Sequence, residues 1–280
     1  MRLILYYGFV ENNKVLLSGK LVHGNLRKPK ASDSIAQNII SMFKQYFALG
    51  ASSRVVSVIF SGNTKKVKTN EYGSFKVYFD FDENSKRTYQ ARYKDEKRQS
   101  KVFLPEQEKK AIISDVDDTF LVSDSSSFFK RIWTSASKNI HTRSSVTDIV
   151  DIYKEFSGPV FYVSNSQWRL FEVLDGFRKI NNLPQGPFLL KGKSKYSRIK
   201  SIMKSYPYKF VLIGDDGQKD PEIYALIQKE YPKKVLAVAI RHVSSKKRFE
   251  EVNDLLPKKN CFISSDGRDI LKFVSSKLKE

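Results

Sequence analysis

In KKAIISDVDDTFLV, residues 109–122, Asp115, Asp117 and Asp118 follow directly on an apolar run that reads as a short buried strand. Adjacent negative charges repel, so a strand tip carries them only where something outside the strand uses them. Asp115 and Asp117 stand two residues apart with Thr119 following. Where a strand opens into a loop, that spacing brings two carboxylates into one small volume, provided a divalent cation offsets their repulsion. One carboxylate can then attack phosphorus while the other handles the proton. Magnesium suits the task, because it takes oxygen ligands and bridges phosphate oxygens.

Further groups of the same kind follow. FVLIGDDGQKDPEIY, residues 210–224, sets Asp215 and Asp216 at a strand tip after Gly214, with Asp220 at the start of the next helix before Pro221. Alone, Asp220 would read as a helix cap; beside the other carboxylates it reads as a metal ligand. YVSNSQWRL, residues 162–170, puts Ser164 and Asn165 at a strand-to-helix turn suited to a phosphate oxygen. A lysine is needed for the phosphoryl charge, and residues 189–207 offer Lys191, Lys193, Lys195 and Lys200. Spacing alone does not choose among them.

These residues need a frame. Apolar runs at residues 111–114, 159–166, 210–216, 235–241 and 261–265 alternate with helical stretches at 146–156, 167–180, 196–206 and 220–231. Such alternation predicts βαβ crossovers, a parallel sheet covered on both faces, and a ligand site beyond the carboxyl ends of its strands. Residues 2–104 differ. Short β-branched and aromatic runs separated by turn formers predict a β-rich, sandwich-like domain, interrupted by one amphipathic helix at 32–50. The charged segment 92–110 reads as a surface connection, so the expected domains are 1–105 and 106–280.

The chain has 280 residues, with 50 Lys+Arg against 30 Asp+Glu, a formal charge of +20. A single cysteine, Cys261, excludes an internal disulfide framework, and three histidines without cysteine partners argue against structural zinc. A reducing, cytoplasmic compartment is expected. No run approaches the length of a transmembrane segment. The positive charge suits nucleic acid, acidic lipid or phosphorylated metabolites, or serves solubility alone.

The ordered motifs, from Asp115-Val-Asp117-Asp118-Thr119 through Ser164 and a lysine to Gly214-Asp215 and Asp220, resemble the haloacid dehalogenase superfamily of phosphotransferases. Residues 162–170, 183–190, 210–227 and 238–241 resemble one branch more closely, the actin-patch-protein type of magnesium-dependent phosphatidate phosphatase. The resemblance spans about residues 110–243. It implies a haloacid-dehalogenase-like Rossmannoid α/β fold without a large cap. It also implies Asp115 as nucleophile, Asp117 as general acid and base, and Lys195, four residues before Ile199, as the lysine that neutralises the transferring group. Thr119, Ser164, Asn165 and Lys195 would hold phosphate; Asp115, Asp117 and Asp215 would bind magnesium, Asp117 through its backbone carbonyl, with Asp220 as an additional ligand or orienting the metal's waters. The family usually has serine where Asp216 stands. Residues 67–81 resemble a hairpin of transthyretin-like domains, with Asn70 in an aspartate position.

The implied function is a phosphatidate phosphatase. A phosphatase of nucleic-acid ends or phosphoproteins, or an idle basic binding module, are the alternatives. Spans too short for a large cap favour a bulky substrate whose body stays outside. Contact with an anionic membrane as a peripheral protein would need basic groups around the pocket, and Lys191, Lys193, Lys200, Lys246, Lys247 and Arg248 are the candidates.

Overall fold

The structure is a computed structural model, described here for residues 1–24, 49–107, 109–115, 153, 156–180 and 182–279. Asp117, Asp118, Thr119 and the expected helices at 32–50 and 146–156 lie outside the described residues, apart from Leu49, Gly50, helical Tyr153 and Phe156. The chain divides into two compact units. One holds Met1–Glu106, Arg169–Gly176 and Lys204–Tyr206; the other holds Gln107–Trp168, Phe177–Met203 and Pro207–Glu280.

The first unit is an antiparallel-rich, eight-stranded sheet. Its strands are β1 (Arg2–Leu5), β2 (Gly8–Glu11), β3 (Lys14–Val22), β4 (Val55–Phe60), β5 (Asn63–Lys68), β6 (Ser74–Asp80), β7 (Thr88–Tyr93) and β8 (Glu96–Phe103). Their path is β1-β3-β2-β8-β7-β4-β5, with β6 on the other edge of β3. The sheet curls at a short parallel pairing of β2 with β8. Tyr89 on β7 then reaches across to the carbonyl oxygens of Tyr6 and Ser18, at 2.6 and 2.8 Å, and Phe60 meets the edge of Phe79.

Turn chemistry sets the hairpin registers. Asn12 and Asn13 both take positive φ, 51° and 59°, between the paired Glu11 and Lys14, as a two-residue turn between twisted strands requires. Asn70 builds its own turn: its Oδ1 accepts from Tyr72 N at 3.0 Å and Ser74 N at 2.9 Å. Gly73 completes it at φ 72°, where an added Cβ would stand 2.3 Å from Leu21 O.

One expectation is corrected here. The segment 92–110 is no mere connection, because β8 pairs with β7 through six residues. One face of β8 is open to solvent, so charged residues hide its alternation, and only Ser100 and Val102 betray the inner side.

The second unit is a six-stranded sheet in which every pairing is parallel. Its strands are β9 (Lys110–Asp115), β10 (Val160–Val163), β11 (Phe188–Leu189), β12 (Lys209–Asp215), β13 (Val235–Arg241) and β14 (Cys261–Ser264). Near-continuous burial of β9, β10 and β12 matches strands covered on both faces. The described helices are α1 (Phe171–Ile180, after a 3-10 turn at Trp168–Leu170), whose first six residues count with the first unit, α2 (Lys195–Ser205), whose last two do likewise, α3 (Asp220–Glu230), α4 (Lys246–Leu255) and α5 (Gly267–Lys279). The strand order is β11-β10-β9-β12-β13-β14. In chain rank this is the doubly wound order, which reverses direction between β9 and β12.

Candidate active site

At that reversal, three strands end in polar residues. Asp115 closes β9, Ser164 follows β10 and Asp215 closes β12, and all three are buried. The register sets Val163 beside Asp115 and Ile213 beside Ser114, so the tips are neighbours.

Two helices begin at the same place. Lys195 is the first residue of α2 and Asp220 the first of α3, with Pro221 behind it. Both are buried, at 4% and 1% exposure. Lys195 Nζ lies 2.7 Å from Asp115 Oδ1 and forms a second ion pair with Asp220 Oδ1. Lys219, not Asp220, holds the N-cap position of α3, which removes the capping explanation for Asp220. Gly214 lets Asp220 come this close to β12, for a Cβ there would meet Asp220 Oδ2 at 2.4 Å. Asp215 turns its Oδ1 to Gly217 N at 2.9 Å, shaping the loop between β12 and α3.

The four candidate lysines separate clearly. Lys191 and Lys193 are exposed. Lys200 pairs with Glu230 at 2.5 Å, at partial exposure. Lys195 is buried against the carboxylates of the strand ends. Lys200 and Arg248, both expected among the basic groups around the pocket, are instead tied to carboxylates, Arg248 to Glu222 at 2.7 Å.

Electrostatics follow from burial. Desolvation would lower the Lys195 pKa, but Asp115 and Asp220 outweigh it and hold the ammonium charged. Desolvation and the charge of Asp115 push the Asp220 carboxyl well above its usual range, against the pull of Lys195. Two buried carboxylates thus share Lys195, with buried Asp215 at the next strand end.

That imbalance bears on a metal. Among the described residues no cluster of three or more Asp, Glu, His or Cys side chains is arranged to hold an ion by itself. The donor chemistry nevertheless fits a hard divalent cation: the groups are carboxylate oxygens, and Asp220 Oδ2 is buried with no hydrogen-bond donor. Asp117, the other expected contributor, lies outside the described residues.

Two residues here had no assigned part in the sequence reading. Arg198, one turn after Lys195 and buried, donates from Nη1 to the carbonyl oxygens of Ser164 and Leu189 and from Nη2 to Asn165 Oδ1 at 2.8 Å. It thereby fixes the backbone of the Ser164-Asn165 turn. Its i,i+3 spacing from Lys195 on one helix face was the available signal. Asp216 faces the loop after β13 rather than Lys195. Its Oδ1 accepts from Val243 N at 2.7 Å and Ser244 N at 3.1 Å, and its Oδ2 lies 2.5 Å from His242 Nδ1. Burial opposes ionisation of Asp216, but the amide and His242 hydrogen bonds prevail and hold its pKa below the usual value.

The second unit is therefore an α/β domain with a buried acidic centre, one lysine and a serine turn at the switch point of a parallel sheet. Residues 110–242 match the family described as phosphatidate phosphatase APP1, catalytic domain, so the resemblance to a catalytic domain of the APP1 type is shown for this stretch. The chain is 32% identical over 159 residues to the phosphatidate phosphatase APP1 of Saccharomyces cerevisiae, covering 48% of this chain and 26% of that protein. It is 28% identical over 153 residues to an uncharacterized protein of Schizosaccharomyces pombe, covering 48% of this chain and 25% of that one. The chain thus spans about a quarter of the length of these relatives. A carbohydrate acetylesterase from Xanthomonas citri aligns over 97% of this chain and 72% of its own at 8% identity, but a TM-score of 0.33 is too low to carry a fold argument.

Proposed function

We propose that this protein is a magnesium-dependent phosphomonoester hydrolase of the haloacid dehalogenase type, with phosphatidate as substrate. The observation that carries the reading is the 2.7 Å contact of buried Lys195 with Asp115 at the tip of β9, inside the stretch that matches the phosphatidate phosphatase family.

In this reading an Asp115 oxygen attacks phosphorus, the bond from phosphorus to the lipid oxygen breaks, and an aspartyl phosphate forms. Asp117 gives the departing oxygen its proton, releasing diacylglycerol, and then takes a proton from water. That water attacks phosphorus, the Asp115 O–P bond breaks, and inorganic phosphate leaves. Lys195 balances the charge of the transferring group, while Thr119, Ser164 and Asn165 hold its oxygens. Asp115, Asp215, Asp220 and the Asp117 carbonyl would hold magnesium, which when bound supplies positive charge to carboxylates and phosphoryl oxygens alike.

Phosphate release from phosphatidate, a nucleotide and a phosphopeptide, with and without a chelator, tests the reading. Fastest turnover on phosphatidate, abolished by chelation, is expected. Faster release from the nucleotide or the peptide would replace the substrate, and chelator-resistant turnover would remove the metal.

A further inference from the structure

The strand register of the first unit sorts its basic residues onto two faces. In β4 and β7 the buried Val56, Val58, Phe60, Tyr89 and Ala91 mark the inner face. Lys65, opposite Val58, belongs to it and donates to Tyr78 O at 2.7 Å. Residues one step along point the other way. Lys66 stands opposite Ser57, Ser57 opposite Arg92, and Arg92 opposite Lys97, so a single row crosses β5, β4, β7 and β8. Lys68 opposite Val55 and Lys101 opposite Thr88 lie on the same outer face.

All five cations, Lys66, Lys68, Arg92, Lys97 and Lys101, are exposed. Among the described residues of these four strands no acid shares this face. Glu96, the one acidic residue of these four strands, sits opposite Tyr93 on the inner side and pairs with Arg98 at 2.9 Å. Among the described residues none of the five makes an ion pair, whereas Arg87 meets Glu106 at 2.7 Å and Lys76 meets Glu11 at 3.9 Å.

We infer that this outer sheet face docks on a bilayer surface that carries anionic lipid. The inference rests on the lipid-phosphate reading for its choice of partner and extends it to a second surface. Five uncompensated like charges on one sheet repel one another, and a negative plane offsets that repulsion. The outermost of four strands stand roughly 14 Å apart, so the cations spread over an area instead of converging on a pocket. Each Lys or Arg near such a plane adds to the attraction. Single-stranded nucleic acid takes aromatic platforms on which bases stack. Here Phe60 and Tyr89 are buried on the opposite side, and Phe103, the one ring of these four strands in register with the outer cations, packs edge-on against Tyr7 and offers no stacking platform.

The test sediments the full chain with phosphatidylcholine vesicles, with and without phosphatidylserine, in the absence of magnesium and phosphatidate. Binding should require phosphatidylserine and fade as the Debye length falls to about 8 Å near 0.15 M salt. Replacing Lys66, Lys68, Arg92, Lys97 and Lys101 together by Gln should weaken binding at least about tenfold and leave melting and release from a soluble phosphate unchanged. A smaller variant, K66Q/R92Q/K97Q, should show an intermediate loss and decides the matter should the larger one fold poorly. Wild-type affinity in the smaller variant, or displacement of the chain from vesicles by an oligonucleotide at lower concentration than by added phosphatidylserine vesicles, would overturn the docking face. Hydrolysis of phosphatidate in detergent without vesicle binding sinks this inference and spares the hydrolase reading. Vesicle binding lost in the variants, with no phosphatidate turnover in wild type, does the reverse.

Discussion

Gly214 and Asp220 are so closely apposed that a Cβ on the glycine would stand 2.4 Å from Asp220 Oδ2 and 3.0 Å from Asp220 Cγ. The first residue of α3 reaches Lys195 only because position 214 lacks a side chain. Gly214→Ala should therefore displace Asp220 and cost about 1–3 kcal/mol, the usual price of overpacking. Melting and turnover should both fall. A variant that matches wild type in both would show that α3 shifts freely.

Asp115→Asn should keep the fold and remove turnover. The amide preserves the shape beside Lys195 and relieves carboxylate repulsion, yet it cannot attack phosphorus. Activity within about tenfold of wild type, a barrier change of about 1.4 kcal/mol, would exclude Asp115 as nucleophile.

Lys195→Met and Lys200→Met should part company. The first strands Asp115 and Asp220 in a buried site, where removing one partner of an ion pair costs about 3–5 kcal/mol. The second loses a partly exposed pair with Glu230, which solvent screens to a small contribution. Thermal melts with and without magnesium separate them, because a cation should restore part of the stability lost in Lys195→Met and none in Lys200→Met. Equal melting of the two variants would contradict the buried-pair geometry.

Arg198→Lys keeps the charge but lacks the planar fork that serves Ser164 O, Leu189 O and Asn165 Oδ1 together. The Ser164-Asn165 turn should loosen. We expect a raised KM for phosphate substrates with a smaller change in kcat, checked by steady-state kinetics on a soluble phosphate. An unchanged KM would leave Arg198 a purely structural residue.

Asp216→Ser, which installs the residue the family usually carries, should release the loop after β13, since the shorter, uncharged serine side chain cannot reach Val243 N, Ser244 N and His242 Nδ1 together as the carboxylate does. Amide exchange at these two positions should quicken and the melting temperature should drop. The magnesium-induced rise in melting temperature should stay as in wild type. Its disappearance would make Asp216 part of the metal site.

Much of the second unit was legible because buried parallel strands are written as apolar runs. Residues 111–114 and 210–216 needed no partner to be recognised. The two-residue β11 was too short to leave such a trace. In the first unit β5 and β8 escaped for the opposite reason: exposed charged residues, Lys65, Lys66 and Lys68 in β5 and Lys97, Arg98 and Lys101 in β8, masked the pleat. Lys195 was chosen by motif register, not by spacing, and burial against Asp115 is what distinguishes it from Lys191, Lys193 and Lys200. Asp216 could not be read at all, for its partners His242 to Ser244 lie on another strand end.

The position of β9 in the sheet has a kinetic consequence. It pairs on one side with β10, which starts at Val160, and on the other with β12, which starts at Lys209. Loop-closure entropy must be overcome twice before either pairing returns any stability, so the centre of this sheet forms by distant encounters and slowly. A nascent chain emerging from the ribosome holds Asp115 without Lys195 until α2 has been synthesised, and without Asp220 until α3 has. Until then a half-made chain carries its carboxylates in water, where they repel each other only weakly.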